Sequence, residues 1–335
     1  MIKVTALTSG KHAPASRFRV RQFIAPLSER GIGVSEFHPP WSKYTLASVV
    51  PLGVLGRLPG VANARVSDIT WLERELIPGR FTLERYAGRR RLFDVDDAIW
   101  LLSETRFSER IAELCDGVIA GNQYIADHYR AHGARRTWVV PTSIDTDLWR
   151  PGTRLRESAS WTIGWIGSQS NLPYLYEIEE PLADFLNGHG DAQLLVVCDR
   201  EPAFKKIGGR ALRFERWSPA SEIGLVQEMD VGLMPLPLTE WTLGKCAFKM
   251  ISYMAVGIPV VVSPVGVNRE VLEQASVGFG ADTRDEWYDA LRLLYEDRGL
   301  GPKMGVAGRR LVEDRYSVNS NVVALADIFR EVAGR

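Results

Sequence analysis

The sequence predicts an α/β protein built from two similar domains. Short β-rich runs alternate with helical stretches along the chain, and the alternation restarts after about Pro151. Several runs are continuously apolar, which is typical of parallel strands that have helices on both faces. A length of 335 residues fits about two domains. We therefore expect two Rossmann-like, doubly wound domains facing a central cleft.

The predicted strands form two series. The first series comprises Lys3–Thr8, Ile32–Phe37, Ile69–Leu72, Leu92–Val95, Gly117–Ala120 and Thr137–Val140. The second comprises Thr162–Ile166, Gln193–Cys198, Leu212–Phe214, Val231–Met234 and Pro259–Ser263. Amphipathic patterns predict helices at Arg17–Arg30, Glu104–Cys115 and Val318–Arg330.

A polar segment predicts the domain boundary. Trp149–Ser160 contains Pro, Gly and charged residues but shows no hydrophobic periodicity. We place the first domain at residues 1–150, the second at 151–316 and a separate terminal helix within 317–335.

Composition excludes several classes of protein. Lys and Arg equal Asp and Glu at 41 each, but residues 1–150 contain 21 basic and 16 acidic side chains. This basic first half suits a phosphate-bearing ligand or an anionic membrane, or simply scattered surface arginines. Cys115, Cys198 and Cys246 have no metal-type or disulfide-framework spacing, which favours a reducing compartment. With no leader-like segment and no membrane-length apolar run, we expect a cytoplasmic protein.

The segment Gly232–Glu270 contains the strongest candidate site. We predict a helix that Gly244 opens and Gly257 closes, with Lys245, Lys249 and Ser252 on one face because of their spacing. Two ammonium groups beside a helix N-terminus suit a diphosphate. The alternative is the solvated face of an ordinary amphipathic helix.

A small-residue turn after the first strand of the second series is another candidate. Gly167 lets backbone amides approach an anion, Ser168 offers a hydroxyl, and a helix is expected to begin near Asn171. The turn matches neither the dinucleotide fingerprint nor the lysine-bearing P-loop, which disfavours dehydrogenases and nucleoside triphosphatases.

Two loops of the first half also contain candidate groups. Asp94, Asp96 and Asp97 follow a strand and suit metal binding, base catalysis, sugar orientation or helix capping. Their pattern superficially resembles the haloacid-dehalogenase-like phosphatases, except that Ala98 stands where that motif has Thr or Val. Arg17, in the early loop Ser9–Arg19, suits phosphate recognition, or is solvated.

These residues resemble the family 4 retaining glycosyltransferases of GT-B fold, in their bacterial branch. The resemblance spans nearly the whole chain, and its motifs stand in family order. They are PASRFRV, FDVDDAIW, GNQYIA, VVPTSIDTDLW, GWIGS, GLMPL, the GK–FK–YMAVGIPVVVSPVGVN run, and the trailing Gly278, Trp287 and Tyr316-Ser317.

The resemblance implies metal-independent transfer of a sugar from a nucleotide diphosphate sugar, with retention at the anomeric carbon. It makes residues 1–150 the acceptor side and residues 151–316 the nucleotide-sugar side, with the last helix crossing back to the first domain. It adds candidate binding residues to those above: Arg200, Trp217, Pro235, Leu236, Glu270 and Asn122. The family's E-x7-E glutamates would fall at Gly244 and Ser252, so the usual carboxylate contacts are absent.

The leading hypothesis is an active glycosyltransferase. Lys245 and Lys249 clamp the diphosphate, Asp96 or Asp97 orients donor or acceptor, and neither cofactor nor metal is required. We expect a nucleotide sugar donor, a glycan, lipid-linked or small-molecule acceptor and no nucleic acid, and peripheral membrane contact through the basic first domain stays open. The alternatives are a non-catalytic nucleotide- or glycan-binding GT-B protein, a sugar-nucleotide epimerase and a phosphatase. Acceptor selection is assigned to first-domain loops such as Trp41–Gly60.

Overall fold

The computed structural model describes residues 1–40, 50–152 and 160–334, and it divides into two compact units. Unit 1 contains residues 1–143, 243–246 and 318–335, and unit 2 contains residues 144–242 and 247–317. Each unit contains one six-stranded parallel sheet, which confirms the predicted pair of doubly wound folds.

The strands of unit 1 follow the order β2-β1-β3-β4-β5-β6. Their bounds are β1 Ile2–Leu7, β2 Ile32–Phe37, β3 Ile69–Glu73, β4 Arg91–Val95, β5 Gly117–Ala120 and β6 Thr137–Val139. The first helices of the chain are α1 Ile24–Ser28, α2 Val50–Ala64, α3 Phe107–Leu114 and α4 Gln123–Ala131. Shorter 3-10 turns lie at Arg21–Phe23, Glu84–Tyr86 and Ile99–Leu102, and Ser16–Val20 is π-helical.

The strands of unit 2 follow the order β12-β11-β10-β7-β8-β9. Their bounds are β7 Trp161–Ile166, β8 Ala192–Cys198, β9 Leu212–Arg216, β10 Val231–Met234, β11 Val260–Val262 and β12 Gly278–Gly280. The next helices are α5 Leu172–Tyr176, α6 Glu179–Gly188, α7 Glu222–Gln227, α8 Glu240–Leu243, α9 Phe248–Ala255, α10 Val267–Gln274, α11 Arg284–Glu296 and α12 Leu300–Leu311. Gln169–Asn171 and Gly209–Ala211 are 3-10 turns, and Val312–Tyr316 is π-helical.

The last helix, α13 (Val318–Ala333), belongs to unit 1. It packs on one face of that sheet, where Phe329 meets Trp71 edge to face at 5.1 Å. Helices α3 and α4 cover the other face, where Tyr129 meets Phe93 at 5.7 Å. Both faces of the unit 1 sheet are therefore buried, which explains its continuously apolar strands.

The change of unit falls at Ser143–Ile144, before the segment predicted as the boundary. Residues just after Ile144 already pack in unit 2, because Arg309 donates to the carbonyls of Thr146 and Trp149. Residues 153–159 of the predicted boundary lie outside the described residues.

Two predictions about secondary structure were incomplete. The expected loop Trp41–Gly60 is helical from Val50 onward, and its residues 41–49 lie outside the described residues. Strand β12 was missed because it is short and contains two glycines in three residues. Among the described residues, no helix is both long and apolar enough to cross a membrane.

Candidate functional site

The strand order of unit 2 locates a crevice between β7 and β10. The chain runs from β7 to β8 and β9 on one side, and then returns to β10, β11 and β12 on the other. Ligands of doubly wound sheets bind at the carboxyl ends of the strands, at such a reversal of strand order. The β7–β10 ladder itself ends at Gly164 paired with Gly232. The last residues of both strands are therefore held by other contacts.

The hydroxyl of Tyr253 bridges the two strands beyond the end of their ladder. It accepts a hydrogen bond from the Ile166 amide at 3.0 Å and donates to the Leu233 carbonyl at 3.2 Å. The ring needs Gly232, where a Cβ would stand 2.2 Å from Cγ of Tyr253. Burial raises the pKa of Tyr253, so the phenol stays protonated and can donate. Tyr253 thus fixes the carboxyl end of β7.

Lys249 lies against the Gly167 turn that follows β7. Its ammonium stands 5.6 Å from the centre of the Trp165 ring, and a Cβ at Gly167 would come within 3.0 Å of its Cε. The Gly167 amide donates to the Val197 carbonyl at 3.0 Å, while the exposed Ser168 hydroxyl accepts from the Asn171 side chain at 2.9 Å. A cation and a hydroxyl therefore flank the turn at the mouth of the crevice.

The other predicted residues of unit 2 lie on loops after neighbouring strands. Pro235 and Leu236 follow β10 and are buried, and the Leu236 amide donates to the Ser263 hydroxyl at 3.0 Å. The half-buried Trp217 follows β9 and donates from its indole nitrogen to Glu222 at 2.9 Å. Arg200 follows β8 and Glu270 stands in the first turn of α10, and both are exposed.

Lys245 and Lys249 do not share a helical face, so this part of the sequence prediction is wrong. Helix α9 begins at Phe248, because Ala247 before it adopts a left-handed conformation with φ 52°. Lys245 precedes that break and belongs to unit 1. Ser252 is buried and donates back to the Phe248 carbonyl. The predicted end of the helix at Gly257 is correct.

Asp94 serves the interior of unit 1. Its carboxylate accepts from Nε of Arg19 at 2.7 Å and from the Trp71 indole at 3.0 Å, and the side chain is 1% exposed. Burial outweighs the attraction of Arg19 and raises the pKa of Asp94. An enclosed carboxylate of this kind cannot reach a phosphate ester, so the phosphatase alternative is wrong.

Asp96 and Asp97 form an ion-pair cluster with two cations. Arg74 donates to Oδ1 of Asp96 at 2.6 Å and to Oδ2 of Asp97 at 2.5 Å. Lys245 donates to Oδ1 of Asp97 at 2.9 Å. Burial opposes ionisation of Asp97, but Lys245 and Arg74 outweigh it and lower its pKa. The cluster places fixed charges of both signs at the carboxyl edge of the unit 1 sheet.

Asn122 holds the segment that presents Lys245. Its side-chain oxygen caps α4 by accepting from the Ile125 amide at 2.9 Å. Its side-chain nitrogen donates to the carbonyls of Leu243 and Lys245 at 3.3 and 3.2 Å. The amide group is therefore committed to the protein itself. Asn122 positions Lys245, rather than offering the free sugar contact expected from the sequence.

Gly244 is required by a close approach within unit 1. A Cβ there would stand 2.6 Å from Cβ of Ala98 and 2.7 Å from its backbone nitrogen. The Cys246 thiol next to it donates to the Asp96 carbonyl at 3.2 Å. Gly244, predicted as a substrate contact, thus lets its segment pack directly on the residues after Asp97.

The sequence prediction missed Glu73 at the strand reversal of unit 1, between β1 and β3. This buried carboxylate accepts from the Ser9 amide at 2.7 Å, from the Ser9 hydroxyl at 3.0 Å and from the Ser16 hydroxyl at 2.8 Å. An acidic residue directly after an apolar strand was the available signal. Arg17 is half-buried, with its guanidinium over the Phe18 ring at 4.7 Å.

Comparison with solved structures defines the class of the fold. Sucrose-phosphate synthase from Thermosynechococcus elongatus is 14% identical with a TM-score of 0.74, covering 100% of both chains. Anabaena HepE in complex with UDP-glucose is 16% identical with a TM-score of 0.68, covering 99% of this chain and 100% of the other. WaaG, a glycosyltransferase involved in lipopolysaccharide biosynthesis, is 13% identical with a TM-score of 0.71, covering 97% and 99%. The protein therefore has the GT-B fold.

The family follows from the sequence of unit 2. Residues 162–297 match the family model described as Glycosyl transferases group 1, so this part of the chain is a domain of that family. The match contains the Gly167 turn, Lys249 and the Tyr253 bridge. No curated protein sequence matches the chain.

Proposed function

We propose that the protein transfers a sugar from a nucleoside diphosphate sugar to an acceptor, with retention of anomeric configuration and without a metal ion. The observation that supports this most directly is the position of Lys249 against the Gly167 turn. Both residues lie in the glycosyltransferase group 1 domain, at the strand reversal where doubly wound sheets bind ligands.

The proposed chemistry depends on stabilising the leaving diphosphate. As the glycosidic bond breaks, negative charge accumulates on the phosphate oxygens, and a preorganised cation lowers that barrier. The Lys249 side chain is held in place on two sides, by the Trp165 ring and by the turn at Gly167. In this proposal the exposed hydroxyl of Ser168 donates to the same phosphates.

Metal independence is supported by the charges in unit 1. Arg74 and Lys245 already occupy both oxygens of Asp97, and Arg74 also occupies Asp96. In our proposal these carboxylates hold the two cations at the carboxyl edge, where the acceptor binds. They are therefore positioning residues, and a divalent ion would have to displace two existing ion pairs.

Donor and setting are part of the same proposal. The HepE structures contain UDP, or UDP-glucose, and a trehalose-6-phosphate-related structure from E. coli contains UDP-2-fluoro glucose, which makes UDP-glucose the first donor to test. Cys115, Cys198 and Cys246 are free and buried, which supports a reducing, cytoplasmic setting.

The test combines binding with turnover. Isothermal titration with UDP, GDP and ADP identifies the base, and release of the nucleoside diphosphate is then followed with acceptor panels, with and without a chelator. We expect one base to bind tightest, chelator-resistant turnover and a product that keeps the donor's anomeric configuration by NMR. Binding without transfer across the panel would support a non-catalytic protein, and conversion of the donor sugar without acceptor would support an epimerase.

A further inference from the structure

Helix α2 has an inverted distribution of polarity. Leu52, Leu55 and Leu58 are 46%, 57% and 44% exposed. Arg57, between them in sequence, is only 4% exposed and points inward, where it donates to the Thr8 carbonyl at 2.6 Å and to the Leu76 carbonyl at 3.0 Å. A soluble surface helix normally does the opposite. The outward face of α2 therefore needs a partner other than water to explain it.

The outward face of α2 is apolar along its length. Spacings of three residues place the leucines on one side of the helix. Between Leu52 and Ala64, the exposed residues are Leu52, Leu55, Leu58, Pro59 and Ala62. None of these side chains has a charge or a hydrogen-bonding group. Large exposed apolar patches mark interaction sites more often than scattered single residues do.

The apolar face continues onto the loop after the Asp97 cluster. Gly53 of α2 packs against the Ile77 side chain, and Gly79 lies beside Ser103. Ser103 directly follows Leu101 and Leu102, which are 41% and 58% exposed. We call the five exposed leucines together the leucine surface: Leu52, Leu55, Leu58, Leu101 and Leu102.

Arginines surround the leucine surface. Arg80 follows Gly79 and is exposed, and the guanidinium groups of Arg85 and Arg110 lie over the Phe81 ring at 5.0 and 4.9 Å. Arg106 is 61% exposed and stands 4.0 Å from Glu113. We call these four residues the arginine rim: Arg80, Arg85, Arg106 and Arg110. Near them Glu104 and Glu113 are exposed, so the rim keeps an excess of positive charge.

We propose that the leucine surface and the arginine rim dock unit 1 onto an anionic lipid membrane. Apolar side chains that enter the interface, ringed by cations that meet lipid phosphates, are the two components that hold peripheral proteins on membranes. The bond from Arg57 to the Thr8 carbonyl fixes the leucine half of α2 at the carboxyl edge of the unit 1 sheet. The membrane thus meets the edge that carries Glu73 and the Asp97 cluster.

The charges favour a membrane over a second copy of this chain. A two-fold contact through the leucine surface would bring one arginine rim against another, and like charges facing across an interface oppose association. Anionic headgroups would instead neutralise the rim. The inference goes beyond sugar transfer, and vesicle binding tests it without any enzymatic assay.

The test is vesicle flotation of the full chain. Vesicles of phosphatidylcholine alone are compared with vesicles containing about one-third phosphatidylglycerol, at low and high salt. We expect binding to the anionic vesicles that weakens with salt, and a loss of about tenfold or more in Leu52→Ser/Leu55→Ser/Leu58→Ser. The matched control Leu148→Ser/Val306→Ser/Val323→Ser removes three exposed apolar side chains elsewhere and should bind like the wild type. Arg85→Gln/Arg106→Gln/Arg110→Gln should lose the preference for anionic vesicles.

A second variant covers a failure of the serine variant to fold. Leu55→Cys, labelled with an environment-sensitive dye, should report a blue shift on addition of anionic vesicles, since the native cysteines are buried. No vesicle binding by the wild type, equal binding by the serine variant, or no dye shift would each overturn the proposal. So would a dimer, measured by light scattering, that the serine variant converts to monomers, because a second copy would then be the occupant.

Discussion

The ammonium of Lys245 lies 2.9 Å from Oδ1 of Asp97, while Arg74 donates to Oδ2 of the same carboxylate. Asp97 is only 16% exposed, so this carboxylate depends on its two cations for compensation. Asp97→Asn removes the negative charge and leaves two enclosed cations underpaired. We expect a loss of about 2–4 kcal/mol in the free energy of unfolding, measured by urea denaturation. Asp127→Asn, in an ion pair whose partners are both 57% exposed, is the control and should cost about 0.5 kcal/mol or less.

The effect of Asp97→Asn should depend on pH in one direction. Because the cations lower the pKa of Asp97 in the folded protein, the ion pair stabilises the fold above the ordinary carboxyl pKa of about 4. Its contribution is lost as the pH falls from there through the lower, folded-state pKa. The gap between wild type and variant should therefore be full at neutral pH and shrink in acid. A gap that grows in acid would contradict the assigned direction.

Gly244→Ala tests the close packing of the Lys245 segment. The added Cβ would meet Ala98 at 2.6–2.7 Å, including a backbone atom that cannot move cheaply. We expect a loss of about 1–3 kcal/mol in the free energy of unfolding. Gly224→Ala in α7 is the matched control, because nothing lies within 4 Å of its Cβ. That substitution should be neutral or stabilise by up to about 1 kcal/mol, since alanine favours helix.

Tyr253→Phe tests the bridge between β7 and β10. Loss of the hydroxyl leaves the buried Ile166 amide without its acceptor, which should cost about 1–3 kcal/mol of unfolding free energy. Hydrogen exchange at the Ile166 amide should become faster at the same time. Tyr86→Phe, at a tyrosine that is 50% exposed, should change neither quantity. Unchanged exchange at Ile166 would show that the bridge does not hold the end of β7.

The sequence was sufficient for the sheets because their strands carry a local signal. Runs such as Gly117–Ala120 and Val231–Met234 are wholly buried, and their bounds agree with β5 and β10. Parallel strands covered on both faces must be apolar throughout, so composition alone locates them. Helix α2 failed this test, because leucines on its outer face and an arginine on its inner face conceal the usual helical pattern.

The candidate site was less predictable because its contacts are long-range. Spacing alone placed Lys245 and Lys249 on one helix, but the left-handed Ala247 separates them, and no local pattern indicates it. The partners of Lys245 lie about 150 positions earlier in the chain, at Asp97. Glu73 was missed for the same reason, since its meaning depends on β1 and β3 being neighbours.

Lys249→Met tests whether this lysine binds the donor phosphates. Methionine keeps an unbranched side chain between the Trp165 ring and Gly167, so the fold should persist while the charge is lost. Charge-assisted hydrogen bonds contribute about 1.5–3 kcal/mol, so the affinity for the preferred nucleoside diphosphate should fall about 10–100-fold by isothermal titration. Lys303→Met, at an exposed lysine of α12, is the control and should bind like the wild type. Because a neutral nucleoside lacks the phosphates, its affinity should be the same in both variants. If Lys249→Met instead weakened the nucleoside and the diphosphate equally, the lysine would shape the crevice and not bind the phosphates.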